Sequence, residues 1–335
     1  MDNCSKKLIL HIGLGKTSTS TLQALIFPEL CRMLQLKYWG NEDIHKWDAN
    51  ISNYFVNLIE RMWLDRPLER VNFLHDMLVS NEGLSSYRDA HRMIEYASKN
   101  RKVFGRRAHV LLVIREPKSW LTSLYIQRCV HENPVQKPEH FFLSETEYSL
   151  HLPDAKFNVE RFSYIKLVEE YKKLFDTVTV VKYEALPKMD FLRELSTLTD
   201  EQLIKMRNLY SSRRVNKSLS SHTISLVFKF NKLLALFMLS YKPKYSNAVL
   251  LSRCNEEFLN ETVSRVETSQ GFRKLFLLFF SLFHYKFILC KVIDRILPHK
   301  KFQLNFSELK TIPIKSLELE YKNLPEVCTY QKVEQ

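Results

Sequence analysis

The stretch Leu8 to Gln23, LILHIGLGKTSTSTLQ, decides how the chain folds. Leu8-Ile9-Leu10-His11-Ile12 has the length and apolar character of a buried strand, and Gly13 and Gly15 allow a sharp turn after it. A helix should follow. Gly15, Thr17, Ser18, Thr19, Ser20 and Thr21 bring hydroxyls and free backbone N–H groups to its N-terminus, where unpaired donors and the helix dipole favour an anion. Lys16 adds a point charge. The pattern predicts a phosphate cradle, although a plain strand–turn–helix with hydroxyl caps uses the same residues. The nucleoside-triphosphate loop, G-x-x-x-x-G-K-[ST], needs a first Gly five residues before the second. Leu10 stands there, so Gly15-Lys16-Thr17 matches only half of that motif.

Outward from this stretch, the next strand-like runs are Leu36 to Gly40, expected at a sheet edge, and Asp76 to Ser80, which leads into Asn81-Glu82-Gly83. Ligands of open α/β sheets bind beyond the C-terminal ends of the strands, which puts Glu82 on the same rim as Lys16. Between them, Ile44 to Leu64 carries apolar residues at helical spacing. Arg88 to Lys99 reads as a helix and Lys99 to Arg107 as a basic connector, either a solvated charge run or part of an acceptor-binding face. His109 to Ile114 is β-branched and uninterrupted, as expected at the centre of a parallel sheet. Arg115 follows it directly, and Pro117 opens a helix that carries Ser123. A guanidinium at a strand end suits a phosphate.

Together these two segments resemble the sulfotransferases that use 3'-phosphoadenylyl sulfate (PAPS), closest to the bacterial or carbohydrate-directed ones. In that family the 5'-phosphosulfate loop has Lys, a small residue, Gly and two hydroxyl residues. Lys16-Thr17-Ser18-Thr19-Ser20 departs from it at Ser18, so this backbone must avoid a positive φ or accept strain. The family's second motif is a strand ending in Arg, with Ser eight residues on; Arg115 and Ser123 fit that spacing. The resemblance implies a three-layer, P-loop-like α/β fold with a central parallel sheet of about five strands. It also implies PAPS as donor, no metal, Lys16 and the loop hydroxyls on the phosphosulfate, and Arg115 and Ser123 on the 3'-phosphate. Glu82 is the candidate general base, with His11 and His75 in reserve. The loop Ser211 to Ser220 resembles the late loop that closes over the nucleotide, which adds Arg213, Arg214, Asn216 and Ser218. Its other meaning is a solvated helix entry.

The remaining elements are scaffold. His140 to Phe157 reads as a substrate-side loop insertion, Val159 to Leu174 as a helix, and Thr177 to Glu184 as a strand whose Glu184 supports the fold. Leu198 to Gln202 starts a helix capped by Thr199. The α/β domain is expected to span 1–220, with 221–335 a mainly helical extension that packs on it or lies on a membrane with its basic side facing anionic lipid. Leu275 to Cys290 is shorter than a spanning helix and is interrupted by His284 and Lys286.

Charge and cysteine usage narrow the class of protein. A net charge of +13 over 335 residues implies an anionic partner, and no motif with regular basic and aromatic interleaving points to nucleic acid. The six cysteines have no C-x-x-C spacing and read as free thiols. Met1 to Lys7 is short and polar, so a cytoplasmic enzyme is expected. The acceptor is expected to be a saccharide or a lipid-linked saccharide; the oligomeric state is not legible. Two other classes stay open: a P-loop kinase using ATP and Mg²⁺, and a non-catalytic scaffold that binds anionic glycan or membrane.

Overall fold

A computed structural model of the protein describes residues 6–40, 58, 61–62, 66–70, 75–85, 90, 92–127, 137–146, 157–212, 220–225 and 301–332. The expected helix at Ile44 to Leu64 and the apolar stretch Leu275 to Cys290 lie wholly or almost wholly outside these residues. Among the described residues, no helix is long and apolar enough to cross a membrane. Cys31 and Cys328 are free thiols, and the other four cysteines lie outside the described residues.

The chain forms two compact units, one of residues 1–120, 158–216 and 311–335, the other of 121–157 and 217–310. The first holds an α/β sheet of six strands: β1 (Leu8–Gly13), β2 (Lys37–Gly40), β3 (Met77–Ser80), β4 (His109–Ile114), β5 (Thr177–Lys182) and β6 (Val327–Gln331). Their order is β2-β3-β1-β4-β5-β6. The first five pair in parallel, and β6 adds antiparallel to β5. β1 and β4 are buried along almost their whole length, which is why both read as unbroken apolar runs. From β1 the chain crosses to β2 on one side, and from β4 it crosses to β5 on the other. A crevice therefore opens between the C-terminal ends of β1 and β4, at the point where the winding reverses.

The longer helices among the described residues are α1 (residues 19–34), α2 (Arg92–Phe104), α3 (Pro117–Tyr125), α4 (Tyr164–Leu174), α5 (Asp200–Ser212) and α6 (Ile314–Asn323). Helix α1 begins as Thr19–Thr21, widens to a π-helical stretch at Leu22–Ile26, and continues as Phe27–Leu34. Pro28 lies inside this helix. It has no N–H to return to the preceding turn, and the helix meets it with a bulge in which Phe27 N donates to Leu22 O. Leu22, Ile26, Phe27 and Leu30 pack on Ile9, Leu111, Val113 and Val181 of the sheet, together with Leu203 and Met206 of α5. Each such side chain stabilises by roughly 1.5–3 kcal/mol on burial.

Several boundaries differ from the sequence reading. The basic run Lys99 to Arg107 is not a connector throughout: α2 continues to Phe104, because cations in a last turn suit the helix dipole. Gly105, at φ 80°, then ends it, its N–H donating to Arg101 O. Helix α4 starts at Tyr164, not near Val159, because Ser163 caps it by accepting from Lys166 N. Within 140–157, Pro138–Phe141 is a helical turn and Phe142 pairs with Phe157. The Thr199 cap is present as a reciprocal pair, Gln202 N to Thr199 Oγ1 and Thr199 N to Gln202 Oε1. Strand β6 lies in the segment expected to be mainly helical. Its five residues are half-buried or exposed, so no alternation marks it.

Asn100 links three elements: α2, the turn after β3 and α4. It is fully buried on α2 and donates from Nδ2 to Leu84 O and to Tyr171 Oη of α4, both at 2.9 Å. Replacing Asn100 with Ala strands both acceptors and is expected to cost about 2 kcal/mol or more in urea unfolding. A loss below about 0.5 kcal/mol would show that the Leu84 turn does not depend on it.

Candidate phosphate-binding site

The loop after β1 is strained in an informative way. Lys16 has φ 72° and Ser18 φ 65°, both left-handed, while Thr17 between them keeps a negative φ. Among the described glycines only Gly105 takes a positive φ, so the special conformations fall on Lys16 and Ser18 and not on the glycines that mark the turn in the sequence. Ser18 thus takes the strained option. Each left-handed non-glycine residue costs about 1–2 kcal/mol. Alternating signs of φ turn successive N–H groups toward one side, the geometry of an anion-binding nest.

Interactions from elsewhere in the first unit hold this backbone. Arg115 Nη1 donates to Lys16 O at 2.7 Å, and Trp120 Nε1 donates to Gly15 O at 3.1 Å. Thr17 Oγ1 donates to Leu14 O at 2.6 Å, and the N–H groups of Thr21 and Leu22 donate to Ser18 O. At the loop's root, Ser85 Oγ donates to Gly13 O at 3.0 Å. A Cβ on Gly13 would sit 2.8 Å from Thr19 Oγ1 and 3.1 Å from His11 Cε1, which leaves glycine the side chain that fits.

Arg115 is half-buried at the end of β4, with its guanidinium 4.5 Å above the Tyr183 ring and its carbonyl accepting from Tyr164 Oη at 2.7 Å. Its Nε is buried and unpartnered among the described residues. Thr19 Oγ1, also buried, meets no partner at regular hydrogen-bond geometry, although its hydroxyl still draws the neighbouring Glu82 carboxyl toward ionisation. At this rim Arg115 Nε is a buried donor without a partner among the described residues, and a donor so placed suits an anion.

Glu82 is half-buried in a 3₁₀ turn, Glu82–Ser85, that Asn81 caps by accepting from Gly83 N. Burial raises its pKa above 4.5; the charge of Lys16 and the hydroxyl of Thr19 pull it back in part. The structure thus brings Lys16, Glu82 and Arg115 to one rim. Of the reserves, His11 is fully buried, shares a 2.7 Å hydrogen bond with Ser80 Oγ, and is pushed down to about 3 by desolvation. Its bond to Ser80 ties β1 to β3 within the core. His75 is exposed before β3 and so at the opposite end of that strand from Glu82.

Gly15, Thr17, Ser18, Thr19, Ser20 and Thr21 all lie on the loop and the first turn of α1. Ser123 is half-buried on α3, in the part of that helix that belongs to the second unit. Arg213, Arg214, Asn216 and Ser218 lie outside the described residues. Glu184 accepts from Tyr321 Oη of α6, in keeping with a supporting role. Sequence reasoning missed Trp120, Tyr164, Tyr183 and Tyr210. Their only local signal is an aromatic residue near a strand end or on a helix. Among the described residues, no group of three or more His, Cys, Asp or Glu side chains could hold a metal ion.

Gly13→Ala is expected to force the Thr19 and His11 side chains apart and to destabilise the protein by about 1–3 kcal/mol in thermal or urea unfolding; an unchanged midpoint would show that the loop root has room to give. No protein-family model and no curated protein matches this chain.

Proposed function

We propose that the protein is a PAPS-dependent sulfotransferase built on a P-loop-like scaffold, acting on a hydroxyl or amine of a saccharide or lipid-linked acceptor. The observation that carries this reading is the meeting of two strand–turn–helix segments at one rim: Arg115, which ends β4, donates to the carbonyl of Lys16 in the loop after β1. A scaffold that merely bound anions through its surface would need neither the strained loop nor the brace. The nest at 16–18 and the unpartnered Nε of Arg115 support an anionic ligand there.

The donor, when bound, supplies a sulfuryl group activated on a 5'-phosphate leaving group. The chain's own part is positioning and charge. Lys16 and the loop N–H groups stabilise negative charge at the cradle. Arg115 has five N–H donors and directs one to Lys16 O, which leaves others for the 3'-phosphate end. Glu82, in its ionised form, takes the proton from the acceptor oxygen as that oxygen bonds to sulfur and the bond from sulfur to the phosphate oxygen breaks. Lys16 has two effects here: it stabilises the leaving phosphate and keeps part of the Glu82 population ionised against its burial.

Incubation with radiolabelled PAPS and a panel of glycan acceptors should give sulfated product, and Lys16→Ala and Arg115→Ala should each weaken binding of adenosine 3',5'-bisphosphate by tenfold or more. Unchanged affinity in either variant would remove that residue from the clamp, and dependence on ATP and Mg²⁺ would move the protein to the kinases.

The base makes a separate prediction. Because burial raises the Glu82 pKa and the base acts when ionised, kcat/KM should fall as pH drops through that raised value. Glu82→Gln should lower kcat by about 10²–10⁴ and abolish this acid limb, with bisphosphate affinity nearly unchanged. An intact acid limb in the variant would assign the proton transfer to another group.

A further inference from the structure

We propose that Tyr210 is a positioning residue for the phosphate loop, holding Ser18 in the left-handed conformation that a glycine at that position would take unaided. Only the identity of the ligand in this inference rests on the sulfotransferase reading. Ser18 stands immediately before α1, where a serine hydroxyl ordinarily accepts from the N–H groups of the first turn. Here it makes no such cap. Its backbone is instead left-handed, at φ 65° and ψ 19°, and its Oγ shares a 3.2 Å hydrogen bond with Tyr210 Oη, 192 positions along the chain.

Tyr210 is presented by a helix anchored in the core. Leu203 and Met206 of α5 are buried in the core that also holds Leu22 and Ile26 of α1. Lys205 Nζ pairs with Glu29 Oε1 of α1 at 2.7 Å, which fixes α5 along α1 at the surface. Tyr210 lies one turn beyond Met206, on the same face of the helix. Its ring is half-buried and close enough to Arg115 to feel the guanidinium charge, and its hydroxyl is where α5 meets the loop. Burial raises the phenol above its ordinary pKa of 10, so it stays neutral and either hydroxyl can donate in this bond.

The scale of the two effects is similar. A left-handed serine costs about 1–2 kcal/mol, and a hydrogen bond returns about 0.5–1.5 kcal/mol. The Tyr210 hydroxyl therefore matters because residue 18 carries a Cβ, and a glycine there should make it dispensable.

The test is Tyr210→Phe in two backgrounds, the natural chain and Ser18→Gly, with two readouts: the dissociation constant for adenosine 3',5'-bisphosphate and the urea midpoint of the free protein. In the natural chain, loss of the hydroxyl should weaken nucleotide binding about three- to tenfold and lower the midpoint. In the Ser18→Gly chain it should change binding by less than about twofold and leave the midpoint in place. Equal losses in both backgrounds would overturn the proposal, since Tyr210 would then act on the ligand or on general packing. If no chain binds the bisphosphate yet the midpoint falls only where Ser18 is present, the latch stands and the nucleotide reading fails.

Discussion

The hydrogen bond from the Arg115 guanidinium to the Lys16 carbonyl is the constraint on which the rim depends. Lys16 and Ser18 are both held at positive φ, at a combined cost of about 2–4 kcal/mol. A bond from a charged donor is worth about 1.5–3 kcal/mol, and the neutral bonds from Trp120 to Gly15 O and between Ser18 and Tyr210 add about 1 kcal/mol each. The sums are close. The loop thus keeps its shape because side chains from α3, α5 and the end of β4 grip its carbonyls and the Ser18 hydroxyl. Strain of this kind persists only where the surroundings over-determine it.

The same brace changes the meaning of Arg115. Read from the sequence, it is a phosphate ligand at the far end of a nucleotide. In the fold its Nη1 holds the Lys16 carbonyl, so the guanidinium ties the end of β4 to the loop after β1. Its plane lies over Tyr183 and its own carbonyl is held by Tyr164. A lysine in its place would keep the charge and lose the planar fork that allows a stacked face and several directed donors at once.

How far the sequence could be read follows from the range of the interactions. The strands β1, β3 and β4 were legible because burial on both faces leaves largely apolar runs, β5 because it is β-branched, and the Thr199 cap because it is written within four residues. Lys16, Glu82 and Arg115 were legible as rim residues because each follows a strand, and the parallel sheet puts those strand ends on one side. What escaped was contact between distant positions. Trp120 meets Gly15, Tyr210 meets Ser18, and α2 runs on through a basic stretch whose charge suggested a connector. The location of the strain was also hidden: the glycines drew attention, whereas the tertiary contacts place the left-handed residues at Lys16 and Ser18.

The C-terminal segment shows the same point at its longest range. Strand β6 covers the β5 edge, where unpaired N–H and C=O groups would otherwise be open to another chain. Ahead of it, α6 sends Tyr321 to Glu184 and accepts from Ser163 Oγ through Glu320, at the cap of α4. The next residue of that helix is Tyr164, whose hydroxyl holds the Arg115 carbonyl, and the Tyr164 and Tyr321 rings meet at 5.7 Å. From Tyr321 through Tyr164 to Arg115 and Lys16, each contact is short and at least half-buried. The last described helix of the chain therefore bears on the geometry of its first loop, and the two are folded as parts of one site support.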